Sequence, residues 1–325
     1  VGGEQVQIVE TAKALRKLGH DVNVTQSLRP ECHEYDCVHL FNLTKIAETY
    51  IQALHVKRAG KPLVLSPIYA GNWQMENVSC LGRINPFLAL ELKERIRGLG
   101  RAVLKENRLA HLVQCIKGYI GEQREVLKLV DVILPNSQWE ANEIEKDFGP
   151  LTCDIHLVPN AIDPTWESSV SATPFVEKYG LRDFVLCVGR IDRRKNQIAL
   201  IRALAGTKLP LVFIGPLWRF DRAYCREFLK LVSNVRNAYY LGELKHEMAL
   251  SAMKAARVHA LPSWLETPGL ASLEAGLMGC RVVTTARGGP KEYFGEMAWY
   301  CDPANVESIR QAVIDAWEAK CTPPL

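Results

Sequence analysis

Two glutamates, Glu266 and Glu274, stand with seven residues between them around the turn Thr267-Pro268-Gly269. The pattern reads as a helix start, with Thr267 as N-cap and Pro268 at the first helical position. The backbone N–H groups of Gly269, Leu270 and Ala271 then lack an intrahelical acceptor. The positive pole of the helix dipole lies behind them. Such an end is an anion site, and phosphate is the usual anion. Carboxylates repel phosphate, so the two glutamates suit a different partner. An ionised carboxylate only accepts hydrogen bonds and matches a vicinal diol. Glu274 falls one turn beyond Leu270 on the same face. A ligand with sugar hydroxyls on either side of a phosphate has that shape, and a nucleotide sugar is such a ligand.

A diphosphate needs cations. The segment Gly189-Arg-Ile-Asp-Arg-Arg-Lys195 supplies them at a strand end. Arg190 can grip phosphate oxygens as a fork, and Lys195 acts as a point charge. The chain contains no Asp-x-Asp, so a diphosphate neutralised by Arg190 and Lys195 is expected in preference to one bridged by magnesium. No metal and no other cofactor is expected. Plainer readings stand beside these. Arg190 can form a surface ion pair with Asp192, the glutamates can be solvated helix-end acids, and Gly288-Gly289 can be an ordinary turn.

These residues need a frame that brings them together. Short apolar runs alternate with helical periodicity along the 325 residues. In the first half, helix is predicted over 4–18, ending at Gly19. Strands follow at Asp21–Thr25, Cys37–Phe41 and Pro62–Ser66. Residues 84–129 read as helix with breaks near Gly98–Gly100 and Gly118–Gly121. A strand at Asp131–Pro135, a helix capped by Ser137 and a strand at His156–Asn160 complete that half. The alternation then restarts. Strands are predicted at 184–189, 211–215, 238–241, 258–261 and 281–285. Helices are predicted at 197–205 and 222–233, from Lys245, after Pro268 and from Val306. The fold class is therefore α/β, with parallel sheets covered on both faces. Residues 1–160 and 161–325 form two Rossmann-like domains, the first apparently lacking its leading strand. Ligands in such sheets sit at the carboxyl ends of the strands, and the crevice between two facing domains is the natural place for them.

At this point the chain resembles the retaining GT-B glycosyltransferases of the class known as glycosyl transferases group 1, family GT4. The resemblance rests on Gly2-Gly3-Glu4 before a helix ending Leu18-Gly19-His20-Asp21-Val22. It continues through Tyr35–His39, Val158–Asp163, Val188-Gly189-Arg190 with Lys195-Asn196, Glu266 with Glu274, Gly279–Val283 and Gly288-Gly289. It implies a retaining transfer of a hexose from a nucleotide-diphosphate sugar, GDP- or UDP-linked, to a glycan or lipid-linked acceptor, without a metal. Domain 1–160 would face the acceptor and domain 161–325 would bind the donor, the two sheets facing across a cleft. Arg190, Lys195 and Glu266 would be the catalytic set. Donor contacts would come from Gly2, Gly3, Gly189, Glu243, Leu244, Thr267, Pro268, Gly269, Leu270 and Glu274. His39, Ser66 and Tyr69 are candidates for the acceptor side, although His39, in an apolar strand, also reads as a core or cleft-edge histidine. The family's His-Asp pair after the third strand is replaced here by Ser66-Pro-Ile-Tyr-Ala-Gly71. That departure and the chain ends leave a weakly active, inactive or truncated nucleotide-sugar-binding protein as the alternative. A dehydrogenase is disfavoured because no strand-linked GxGxxG occurs.

Composition sets the remaining limits. Hydrophobic residues make up 48% and charged residues 23%, as in a water-soluble globular protein. The ten cysteines include no CxxC pair and read as reduced thiols filling the core. With no signal peptide in the sequence, a cytoplasmic location is expected. The net charge of +4 is too small to argue for nucleic acid. Between Arg83 and Lys128 ten Lys/Arg stand against five Glu, interleaved with leucine and isoleucine. Two readings of 84–128 compete: peripheral docking on an anionic inner membrane face, and an ordinary solvated helical face.

Overall fold

The computed structural model describes residues 3–71 and 116–320. Gly2, the break near Gly98–Gly100 and the 84–115 part of the basic stretch lie outside the described residues. The chain divides into two compact units, Val1–Asn160 and Ala161–Leu325.

In the first unit, helix α1 (Gly3–Lys17) precedes strand β1 (Val38–Phe41). There follow α2 (Ile46–Arg58), β2 (Leu63–Ser66), α3 (Tyr119–Leu129), β3 (Val132–Ile133), α4 (Gln138–Phe148) and β4 (Asp154–Ile155). The four strands lie side by side in the order β1-β2-β3-β4, all parallel. Leu40, Leu63, Leu65 and Ile133 point into a core closed by Tyr50 and Val56 from α2, Val126 from α3 and Ile144 from α4. The Ser137 hydroxyl accepts from the Glu140 amide at 3.2 Å, the N-cap expected of it. The strand expected at Asp21–Thr25 does not form. Its apolar/polar alternation has no ladder to join among the described residues, and most of its side chains are exposed. No strand forms over His156–Asn160; the two-residue β4 ends just before it, at Ile155.

The second unit opens with α5 (Trp166–Ser169) and α6 (Thr173–Tyr179). It continues with β5 (Val185–Val188), α7 (Gln197–Leu204), β6 (Leu211–Ile214), α8 (Arg222–Asn234), β7 (Ala238–Tyr240) and α9 (His246–Ala255). The last elements are β8 (Val258–Leu261), α10 (Leu270–Leu277), β9 (Arg281–Thr285), α11 (Pro290–Phe294), β10 (Ala298–Cys301) and α12 (Val306–Glu318). Its six strands are all parallel, in the order β10-β9-β8-β5-β6-β7. Strand side chains alternate between two buried faces. Val185 and Cys187 of β5 pack with α7, α8 and α12, and Leu186 packs toward α6, α9 and α10. A sheet covered on both sides explains why β5, β6 and β8 are near-continuous apolar runs. Strand β10 was not expected from the sequence. Each unit is thus Rossmann-like, as the GT-B reading requires.

Candidate functional site

The strand order of the second unit fixes where a ligand belongs. From β5 the chain moves outward through β6 to β7, then returns to place β8 on the other side of β5. Connections on the two sides of that point leave a crevice at the strands' carboxyl ends, the usual ligand position in open α/β sheets. Lys195 lies on the segment after β5 and Glu266 on the segment after β8. The two meet there, Lys195 Nζ donating to Glu266 Oε1 at 2.6 Å. Arg194 Nη1 approaches the same oxygen at 3.5 Å and donates to the Leu265 carbonyl at 2.9 Å. Both cations use Oε1, so neither occupies Oε2.

This pair is buried: the Glu266 side chain is 5% exposed and that of Lys195 13%. Burial by itself raises a carboxyl pKa. Here the Lys195 ammonium and the Arg194 guanidinium overcome it and hold Glu266 at about 2, so it is ionised at neutral pH. Burial draws Lys195 downward, against the pull of Glu266. The sequence reading assigned Lys195 to phosphate and Glu266 to hydroxyls as independent groups. In the fold they form one unit.

The backbone of Glu266 is fixed as tightly as its side chain. Its amide donates to the Arg287 carbonyl at 3.3 Å, and its carbonyl accepts from the Gly289 amide at 3.0 Å. Gly288 lies against that carbonyl at φ +102°, where an added Cβ would overlap the Glu266 oxygen. The Gly288-Gly289 turn is therefore part of the site's scaffold.

The helix start differs by two residues from expectation. Gly269, not Thr267, is the N-cap, with φ 76° and ψ 55°. A residue in that left-handed conformation cannot lie inside a right-handed helix, so α10 begins at Leu270 and Pro268 precedes it. The Gly269 carbonyl accepts from Ser272 and Leu273. The amides of Leu270 and Ala271 have no acceptor among the described residues, so the helix still opens on unpaired N–H groups. Glu274, on the next turn of α10, pairs with His246 at the start of α9, Oε1 to Nε2 3.2 Å. His246 in turn sits edge-on to Trp166, ring centres 5.0 Å apart.

Arg190 adopts the plainer arrangement the sequence allowed. Its Nε donates to Asp192 Oδ2 at 2.7 Å, and Nη2 forms an ion pair with the same oxygen at 2.6 Å. Its guanidinium also lies 3.8 Å above the Trp218 ring centre. Even so, the Arg190 side chain is 41% exposed. Gly189 adjoins Lys195 directly: a Cβ there would touch its methylenes at 3.6 Å. Glu243 is exposed on the turn after β7, and Leu244 packs on the core below it. Thr267 is half-buried beside Glu266.

In the first unit, two acceptor-side candidates touch. His39 Nε2 lies 2.9 Å from Ser66 Oγ across the β1–β2 pair. Burial lowers the imidazole pKa to about 4, so it is neutral at pH 7, and its ring stacks on Phe41. Tyr69, the third acceptor-side candidate, lies apart from this pair. It is buried at 3%, and its hydroxyl donates to Asp147 at 2.6 Å, which makes it an internal anchor. A residue the sequence reading passed over sits beside it. The fully buried Glu140 accepts from the Tyr69 amide at 2.5 Å and the Asn136 amide at 2.6 Å. It thereby joins the segments that leave β2 and β3. Its spacing from Ser137 was the visible signal, since Ser-x-x-Glu is a capping box, although its partners here are not the Ser137 amide. Gly3 is the first residue of α1.

Residues 174–322 match the family model described as Glycosyl transferases group 1. That match spans most of the second unit. Among curated proteins, glycogen synthase of Mycobacterium tuberculosis is 30% identical over 183 residues, covering 53% of this chain and 42% of its own length. A 4-alpha-N-acetylgalactosaminyltransferase of Campylobacter jejuni, acting by its name on an undecaprenol-diphosphate-linked sugar, is 39% identical over 90 residues. Those cover 26% of this chain and 23% of that protein. The chain thus spans less than half the length of these relatives. Among solved structures, sucrose-phosphate synthase from Thermosynechococcus elongatus aligns with a TM-score of 0.64 at 19% identity, over 95% of this chain and 69% of that one. Anabaena HepE in complex with UDP and glucose aligns at 0.64 with 18% identity, over 88% and 69%. These structures share the fold. The matched residues include Arg190, Lys195, Glu266 and Glu274, and among the described helices none is long and apolar enough to cross a membrane.

Proposed function

We propose that the chain is a retaining glycosyltransferase that moves a hexose from a nucleotide-diphosphate sugar to a glycan or lipid-linked acceptor. One observation carries the reading. The buried Lys195–Glu266 pair lies at the switch point of a sheet that matches the group 1 family model, next to the unpaired amides that open α10. Arg190 and Lys195 would neutralise the departing diphosphate, and the amides of Leu270 and Ala271 would donate to its oxygens, a fixed electrostatic environment that needs no rearrangement during bond cleavage. Glu266 Oε2, free of its two cations, would take a hydroxyl of the transferred sugar, and Glu274 the ribose diol. The base would lie near Glu243 and Leu244. HepE was solved with UDP, which favours uridine over guanosine. The first unit would offer the acceptor side, with the neutral His39 and Ser66 there. The reaction is proposed to run without a metal, in the cytoplasm or at the inner membrane face.

The test is to incubate the protein with UDP- and GDP-hexoses and with glycan and lipid-linked acceptors, and to follow free nucleoside diphosphate. Release that persists in EDTA, with the product's anomeric configuration unchanged from the donor's, is the expected result. Donor binding with no release in any acceptor pairing would favour a non-catalytic binder. A strict magnesium requirement would overturn the metal-free part.

A further inference from the structure

The sequence reading left Trp218 without a role, yet it is built into the site. The segments after β5 and β6 continue side by side beyond the sheet, where Ile191 and Leu217 form one more parallel bridge. The Ile191 amide donates to the Pro216 carbonyl at 2.9 Å, and the Trp218 amide to the Ile191 carbonyl at 3.2 Å. Those bonds bring the indole beneath Arg190, 3.8 Å from ring centre to guanidinium carbon. Phe220 meets the indole edge-on at 5.0 Å.

A second restraint acts in the guanidinium plane. Asp192 is 7% exposed at its side chain, and one of its oxygens accepts from Arg190 Nε and forms an ion pair with Nη2. Its other oxygen accepts from the Lys195 amide at 3.0 Å. One carboxylate therefore ties the side chain of Arg190 to the backbone of Lys195. With one face on the indole and the Nε edge on Asp192, the guanidinium has lost its rotational freedom. Nη1 has no hydrogen-bond partner among the described residues, and the side chain remains 41% exposed. A guanidinium pre-set in this way binds an anion without first ordering a long side chain.

We propose that Trp218 and Asp192 are positioning residues that clamp Arg190 and present its Nη1 side to the diphosphate of the donor. The inference rests on the proposed donor site. It goes further by making the indole a determinant of diphosphate affinity through Arg190.

The experiment is calorimetric titration of the full chain with UDP and with inorganic pyrophosphate. It compares wild type, Arg190→Ala, Trp218→Ala, Trp218→Phe, Asp192→Asn and the double variants Arg190→Ala/Trp218→Ala and Asp192→Asn/Trp218→Ala. A stacked cation near an exposed ring predicts a loss of roughly threefold to tenfold in affinity for Trp218→Ala, with Trp218→Phe near wild type. In the Arg190→Ala background, Trp218→Ala should cost nothing further, because the indole then has no guanidinium to hold. An indole that only supports the loop would give independent, multiplying losses, and that result overturns the clamp. So does Trp218→Ala at wild-type affinity while Arg190→Ala binds weakly, an outcome that leaves the donor site standing. If Arg190→Ala binds both probes as wild type does, the clamp and the donor site fall together. Asp192→Asn keeps an oxygen for the Lys195 amide and removes the charge holding Arg190. The clamp predicts that the Trp218→Ala loss grows in its presence, and equal losses with and without it would contradict the proposal.

Discussion

Replacing Lys195 with methionine isolates the interaction on which the site is built. The variant keeps most of the side-chain volume and removes the ammonium 2.6 Å from Glu266. Of its two cations, Glu266 then retains Arg194, at 3.5 Å. Its ordinary pKa of 4.5 is held at about 2 in the fold. At about 1.4 kcal/mol per pH unit, that difference corresponds to about 3 kcal/mol of stability. Mutational experience with buried ion pairs that lose one partner gives a similar figure, about 3–5 kcal/mol. The sign follows from the lowered pKa. The contribution is complete above pH 4.5 and is lost as pH falls toward 2. In the variant, burial acts with less opposition, so Glu266 takes up a proton on mild acidification. The gap between wild type and variant should therefore be about 3 kcal/mol at pH 7 and shrink to roughly 1 kcal/mol at pH 3. Two units with separate cores need not unfold together. The assay is urea unfolding read by pulse-labelling hydrogen exchange in the β5 and β8 peptides. Adding Glu266→Gln to the variant should recover part of the loss, since no charge is then left buried. A variant within 1 kcal/mol of wild type at pH 7, or fully additive losses in the double variant, would refute the reasoning.

Three further outcomes follow from the geometry. Glu140→Gln sets an amide nitrogen against one of the two backbone N–H groups that the carboxylate now accepts, and should cost the first unit about 1–3 kcal/mol. Burial raises the Glu140 pKa to about 7, against the two amides that lower it. Its stabilising contribution is thus full below pH 4.5 and lost as pH rises to 7; this slope should vanish in the variant, as urea melts at several pH values would show. The His39 imidazole should titrate near pH 4 by NMR, and a midpoint near 6.5 would contradict its burial against Ser66. Gly288→Ala forces a methyl group into the Glu266 carbonyl and should destabilise the second unit by roughly 1–3 kcal/mol, visible as a lower melting temperature.

Much of this architecture was legible because buried parallel strands announce themselves. Phe184–Gly189 and Leu211–Gly215 are apolar runs bounded by glycine, and both form strands close to their expected limits. Asp21–Thr25 carries a comparable alternation and stays outside the sheet, since a strand also needs a neighbour, which its own residues do not encode. The helix start at Thr267-Pro268-Gly269 was found but misplaced by two residues. Thr267 and Pro268 suit the first turn by type, but Gly269 adopts a positive φ that ends that possibility. The Lys195–Glu266 bond was not readable. Its partners are separated by 71 positions and meet only because β8 inserts beside β5. Trp218 was missed for the same reason, since Arg190 reaches it across two adjacent strand ends. Local chemistry was visible in residue types, while pairing across the sheet depended on strand order.

The central claim is that Arg190, Lys195 and the opening amides of α10 grip the diphosphate of a nucleotide sugar while Glu274 holds the ribose. It is tested most directly by calorimetric titration of wild type and Glu274→Ala with UDP, GDP and their hexose conjugates. At least one nucleotide should bind the wild type, and Glu274→Ala should weaken it tenfold or so, as expected when a charge-assisted contact is lost. No binding across the set, or equal affinity for both proteins, would contradict the account.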